Sequence, residues 1–337
     1  MQQSPDEEPQ NQAPDTRDET LAHCKHLIAT GQAEAALPPL QQLTEQAPQL
    51  AEGWFLLGLA YRELHRYEDA LAAFERTLAR EPKHAWALAS KSYVLANMQR
   101  YAEDSRVSRQ IKALPLDTFQ RGLKQVEQML AINANYQYGW YSKGSLLLYQ
   151  NLFAKALKAF EQALTLNPSD PSAWNDKGGA LSRLGRYEEA LDAYNHSLAI
   201  IPSHAIAWSN TGTVLSKMKR YGEALHAYEQ ALTLNPAFTI SWTNKGWAHY
   251  RIAQYSDALV AFDRALVFDP AYANAWNGKG WSHFHMKQYQ MALDAFDHAL
   301  FFDPTDTDIM EGRTKTLAAL TLRTIGRRLT PFLRREK

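Results

Sequence analysis

The chain has 337 residues, 45% hydrophobic and 21% charged, an ordinary soluble composition that is too long for one compact core unless it is a repeat or a large enzyme. Lysine plus arginine and aspartate plus glutamate both number 36, so no net field recruits nucleic acid or an anionic membrane, and any charge-driven partner must use a local patch. A single cysteine, Cys24, excludes an intramolecular disulfide and fits a reducing compartment.

Met1 is followed by Gln, Pro and acidic residues rather than by a basic and then apolar stretch, and no apolar run approaches the roughly 18 residues of a membrane span; a cytoplasmic protein is expected. Residues 1–16, "MQQSPDEEPQNQAPDT", are polar, acidic and proline-rich and are predicted to be a disordered tail. From 17 onward, apolar and small residues recur at three- and four-residue spacings without strand-like alternation, which predicts helices throughout. The 17–50 stretch keeps Ala36, Leu40 and Pro48 and places Cys24, read as a small packing residue, where later stretches carry glycine. The next, 51–84, is complete, with Trp54, Gly58, Ala70, Phe74 and Pro82.

The segment 85–136 departs from this frame. From 51 to 137 is 86 residues, two periods of 34 plus 18, so a decayed repeat with about one inserted helix is expected. Asp104 replaces the alanine, "KALPLDTF" interrupts the second helix, and a further helix is predicted from about Asp117 to Ile132. Five regular units then fill 137–306. Trp140, Trp174, Trp208, Trp242 and Trp276 recur every 34 residues, followed four residues later by Gly144, Gly178, Gly212, Gly246 and Gly280. Alanines at 156, 190, 224, 258 and 292 and prolines at 168, 202, 236, 270 and 304 complete the frame. Each unit reads as two amphipathic helices, for example about 173–184 and 187–200, with proline ending the second. A mid-helix glycine costs about 1 kcal/mol against alanine, so its recurrence predicts close helix approach, with the tryptophans and the aromatics at 194, 228, 262 and 296 filling the larger spaces. After Pro304 a capping helix is expected over 307–327, and 328–337 reads as a basic tail.

A tryptophan, glycine, small alanine, aromatic and terminal proline spread over 34 residues resembles the tetratricopeptide repeat (TPR). The resemblance implies an all-α, right-handed superhelical α-solenoid of stacked helix hairpins, whose first helices line a concave groove for a peptide or extended segment of a partner protein. In that family the groove is formed by the second, fifth, sixth, ninth, twelfth and thirteenth positions of each unit, counting the tryptophan as fourth. Transferred residue by residue, the candidates are Asn175, Asp176 and Arg183; Asn210 and Lys217; Asn244, Trp247, Tyr250 and Arg251; and Asn277, Trp281 and Phe284. Asn210 and Asn244 match the sixth-position asparagines with which some relatives hold peptide backbone, whereas Asp176 and Gly278 depart from that row. Trp247, Tyr250, Trp281 and Phe284 are either interface anchors or packing against the next unit. The fifth positions, Tyr141, Asn175, Ser209, Thr243 and Asn277, lack the lysine with which some relatives clamp a terminal carboxylate.

No pattern carries catalytic chemistry. "WNGKGWSHF" at 276–284 has neither the lysine placement nor the following Ser/Thr of a phosphate loop, and it lies inside a predicted helix whose N–H groups are already used. Lys279 within it is read as a solvated or edge charge, and His249, His283 and His285 lack metal-ligand spacing. "DPTDTDIME" at 303–311 lacks the glycine and spacing of a calcium loop and reads as a turn and helix N-cap. The expectation is a non-enzymatic scaffold without cofactor or metal, binding protein rather than nucleic acid or membrane. Two alternatives stay open: a substrate-targeting arm for a transferase or signalling enzyme acting in trans, and a membrane or nucleic-acid surface adaptor using the basic tail.

Overall fold

The computed structural model describes residues 16–333, which form eighteen α-helices and no strand. Residues 1–15 of the acidic tail and 334–337 of the basic tail lie outside the described residues. The chain divides into two compact units, Met1–Ala173 and Trp174–Lys337. No helix among the described residues is long and apolar enough to cross a membrane.

The first unit contains α1 (Thr16–Ala29), α2 (Ala33–Gln46), α3 (Ala51–Glu63), α4 (Tyr67–Arg80), α5 (Ala85–Asn97), α6 (Tyr101–Lys112), α7 (Leu116–Ile132), α8 (Gln137–Tyr149), α9 (Phe153–Leu166) and the start of α10 (Pro171–Arg183). The second unit holds the rest of α10, then α11 (Tyr187–Ile200), α12 (Ala205–Lys217), α13 (Tyr221–Leu234), α14 (Thr239–Arg251), α15 (Tyr255–Phe268), α16 (Ala273–His285), α17 (Tyr289–Phe302) and α18 (Thr307–Leu333). In both, consecutive helices pack as hairpins and successive hairpins stack, which is an α-solenoid arrangement. The last helix runs on to Leu333, past the expected limit of 327 and through Pro331, since residues 327–330 contain no helix breaker and a proline near a helix end removes only one bond.

One packing rule explains the glycines. A Cβ placed on Gly58, Gly144, Gly178, Gly212, Gly246 or Gly280 would stand 2.6–2.7 Å from the ring of the aromatic on its own second helix: Phe74, Phe160, Tyr194, Tyr228, Phe262 or Phe296. The close approach is therefore of a ring edge onto the first-helix backbone, and each of these rings is essentially sealed from solvent. The repeated tryptophans, expected as core filler, sit at the rim instead and are only half-buried. Their indole N–H groups donate to the carbonyl of the residue six positions earlier: Trp54 to Pro48, Trp140 to Ala134, Trp208 to Pro202, Trp242 to Pro236 and Trp276 to Pro270, at 2.7–3.0 Å. An indole has a polar edge as well as an apolar face, and here that edge fastens each turn to the helix that follows. Lys279, read as a solvated or edge charge, is paired with Asp263 at 2.6 Å and lies 4.8 Å from the centroid of the Trp276 ring.

The irregular 85–136 segment follows the same rule with altered chemistry. In α5 the glycine position is Ser92 and in α6 the alanine position is Asp104, and the serine hydroxyl donates to the carboxylate where other hairpins rely on close apposition. Burial pushes Asp104 up to about 6. The additional helix α7 packs on α1, α5 and α8, burying Phe119, Val126 and Met129, and Asn133 donates to the Ala29 carbonyl at the end of α1. Cys24 is fully buried and its thiol is pushed up by desolvation, as befits a packing residue.

Candidate functional site

In α10 the sixth position of the asparagine row is taken by Asp176, beside the fifth-position Asn175. Asn175 is buried, donates from Nδ2 to Asp176 and accepts at Oδ1 from Asn210 Nδ2 at 3.0 Å; Asn244 Nδ2 donates to Thr213 Oγ1 at 3.3 Å. The Asn210 and Asn244 amides each link one first helix to the preceding one, so one N–H of each is committed to the stack, whereas that of Asn175 stays within α10. Toward the C-terminal ends of α10 and α12 lie Arg183 and Lys217, both exposed. Lys217 Nζ donates to Ser182 Oγ at 3.5 Å and sits 5.7 Å from the Tyr187 ring centroid. Desolvation, and then the like charge of Arg183, lower its ammonium below the ordinary lysine range.

Two further residues repeat in geometry as well as in sequence. Trp247 on α14 and Trp281 on α16 occupy the same position of successive hairpins, and each sends its indole N–H to the second residue of the following first helix. Trp247 donates to Asn274 Oδ1 at 2.9 Å and Trp281 to Asp308 Oδ2 at 3.2 Å. Each ring also meets the buried phenylalanine of its own hairpin edge-on, Trp247 with Phe262 and Trp281 with Phe296, both with centroids 5.5 Å apart. Packing and partial exposure thus coexist in the same side chains. Gly278, the departure from the asparagine row, is explained by Phe262, whose ring would lie 2.2 Å from a Cβ there.

Between the two tryptophans is a cavity of about 590 Å³ bordered by Trp247, Tyr250, Arg251, Asn277 and Trp281, five of the residues singled out in the sequence. A second cavity of about 430 Å³ joins Lys217, Asn244, Trp247 and Arg251 with Tyr228. Trp247 and Arg251 border both. Neither cavity is bordered by Asn175, Asp176, Arg183, Asn210 or Phe284. Phe284 packs instead on Trp281 and Tyr289, with centroids 5.8 and 5.6 Å away.

Sequence reasoning missed the acidic wall of the larger cavity. Asp303, Asp306 and Asp308 border it, from the turn and first residues of α18 that had been read only as an N-cap. The capping is real: Asp306 Oδ1 accepts from the N–H groups of Asp308 and Ile309 at 2.9 and 3.2 Å. What the sequence could have signalled is periodicity, since Asp308 stands one repeat after Asn274, the partner of Trp247. Asn277, only 5% exposed, donates from Nδ2 to Asp308 Oδ2 at 2.7 Å, while its Oδ1 has no partner among the described residues.

The corresponding surface of the first unit is covered by its own chain. Tyr93 of α5 holds the position of Trp247, and it is buried against Tyr138 and Tyr141 with ring centroids 5.9 and 4.8 Å away. Arg62 of α3, fully buried, donates to Ser90 Oγ at 3.3 Å and Tyr136 Oη at 3.2 Å and faces the Tyr138 ring at 4.5 Å. Burial pushes the adjacent Glu63 up to about 7 even though Arg62 opposes the shift. A cavity of about 480 Å³ in this unit lies between His84 and α7. His84 is the N-cap of α5, accepting at Nδ1 from Ala87 N–H at 3.1 Å, and desolvation lowers it to about 4, so it is a neutral structural imidazole. No group of three or more His, Cys, Asp or Glu among the described residues is arranged to hold a metal ion.

Family models described as tetratricopeptide repeat match residues 51–84, 141–205, 205–238 and 273–306. No curated protein sequence matches the chain. Among solved structures, the type IV pilus biogenesis factor PilW is similar over 64% of this chain and 97% of its own, at 19% identity and a TM-score of 0.54. YrrB, described as a TPR protein with an unusual peptide-binding site, covers 57% of this chain and 99% of its own at 22% identity and a TM-score of 0.46. MamA from Desulfovibrio magneticus RS-1 covers 51% and 97% at 22% identity and a TM-score of 0.46. The repeated glycine-on-ring packing, the stacked hairpins and the family-model matches in both units show that the chain is built of tetratricopeptide repeats.

Proposed function

We propose that the chain is a non-enzymatic scaffold of the cytoplasm that holds an extended segment of a partner protein against the first helices of its second unit. The observation carrying this reading is the pair of adjoining cavities around Trp247 and Arg251, bordered by half-buried aromatics with polar edges and by side chains of both signs. Half-buried indoles give a partner a rigid apolar contact at little entropic cost, because the contacts with Phe262 and Phe296 already restrict them. The first unit supports the same location by contrast, since Tyr138 covers the equivalent position there.

The test is copurification of wild type and the Trp247→Ala/Trp281→Ala double variant, with bound proteins identified by mass spectrometry and folding followed by circular dichroism. Partner loss with helicity and melting near wild type supports the reading. Unchanged capture by a folded double variant would move binding away from these cavities.

A further inference from the structure

The larger cavity has a chemical preference that its walls define. Asp303 Oδ1 accepts from Thr305, Asp306 Oδ1 from two N–H groups, and Asp308 Oδ2 from Asn277 and Trp281. In each carboxylate the other oxygen has no hydrogen-bond partner among the described residues, and none of the three is in an ion pair there. Among the described residues, Arg251 is the one cationic side chain bordering the cavity, one positive charge against three negative. The nearby Lys315, 5.6 Å from the Trp281 ring centroid, is paired with Glu311 and does not neutralise them.

An independent feature points the same way. Asn277 borders this cavity, is 95% buried by its 5% exposure, and keeps an Oδ1 acceptor without a donor. A buried acceptor without a donor costs free energy, and because this oxygen is sealed from solvent a ligand N–H recovers it once the Asn277 side chain turns toward the cavity. Acceptors therefore dominate the walls, and the Trp247 ring presents a π-face suited to a cation, while Trp281 already meets Lys315 on one face. The described acidic residues are not arranged to hold a metal, so the fitting cation is an organic ammonium or guanidinium. The neighbouring cavity, bordered by Lys217, Lys219 and Arg251 with no carboxylate, repels such a group and fixes which cavity it enters.

We infer that this cavity is a recognition subsite for a lysine or arginine side chain of an extended partner segment, held between Trp247 and Trp281 and charge-paired with Asp303, Asp306 and Asp308. The inference rests on the scaffold reading above and specifies the partner's chemistry.

Random 12-residue peptides displayed on phage are selected on the full chain. In parallel they are screened against the Trp247→Ala/Trp281→Ala variant and against Asp303→Asn/Asp306→Asn/Asp308→Asn, whose amides keep the capping acceptors. Peptides that depend on the tryptophans should carry a basic residue at a fixed place. Replacing it by norleucine or citrulline in the synthetic peptide should weaken binding by about tenfold or more, with a similar loss on the asparagine variant. The peptide-side substitution leaves the protein untouched, so the result stands even if the triple variant folds poorly. Tryptophan-dependent peptides without a basic residue, or ones insensitive to both changes, overturn the inference while leaving the scaffold reading intact. Absence of any tryptophan-dependent peptide overturns both.

Discussion

Two adjacent glycines in α10 should respond oppositely to the same substitution. An alanine at Gly178 would place its Cβ 2.6, 2.8 and 2.9 Å from three atoms of the Tyr194 ring, and that ring is 2% exposed. An alanine at Gly179 would meet nothing within 4 Å. Alanine gains about 1 kcal/mol over glycine in a helix interior, whereas overpacking a tight core costs about 1–3 kcal/mol. Gly179→Ala should therefore stabilise by up to about 1 kcal/mol, and Gly178→Ala should destabilise by up to about 2 kcal/mol once the helix gain is subtracted. A repeat array need not unfold in one step, so the assay is amide hydrogen exchange of α10 and α11 alongside thermal unfolding by circular dichroism. Slower exchange in Gly179→Ala and faster exchange in Gly178→Ala is the expected pattern. Equal responses, or a stabilised Gly178→Ala, would refute the packing rule on which the whole register rests.

Three further perturbations test other parts of the scaffold. The raised pKa of Asp104 means that its contribution is fully present below the unfolded carboxylate value of about 3.8 and is lost as pH rises through about 6. Asp104→Asn should thus gain on wild type by on the order of 2 kcal/mol between pH 4 and about 7, measured by urea unfolding at each pH; a pH-independent difference contradicts the assignment. Arg62→Met should destabilise the first unit by about 3 kcal/mol, more at pH 8 than at pH 5, because Glu63, already at about 7, loses the charge that opposes its upward shift. A variant no less stable at the higher pH would show that the two are uncoupled. Ala253, at φ 60° in the turn between α14 and α15, holds a left-handed conformation that glycine adopts freely, so Ala253→Gly should raise stability by about 1 kcal/mol.

The repeat register was legible because it is a steric contact copied along the chain: each glycine records a ring that must lie on it. The rim role of the tryptophans was not legible, since a fixed spacing does not say whether an indole is buried by its face or fastened by its N–H. Asp104 signalled a defect in the frame, but its compensation by Ser92 became visible only when both were placed on facing helices. Five of the twelve candidate side chains border the larger cavity, because helical position alone sorts residues by face. Asp303, Asp306 and Asp308 escaped notice because an acidic residue at a helix start already has a sufficient local explanation. Gly278 looked like a lapse in the asparagine row and is instead required by Phe262.

The central claim, that a partner segment docks between Trp247 and Trp281, is tested most directly by fluorine NMR of the chain labelled with 5-fluorotryptophan. The nine tryptophans include a rim set, such as Trp208, Trp242 and Trp276, that serves as an internal control. Each resonance is assigned by single Trp→Phe variants and followed as a selected peptide is added. The account predicts saturable shifts confined to Trp247 and Trp281. Shifts in the rim tryptophans with Trp247 and Trp281 unmoved would contradict it.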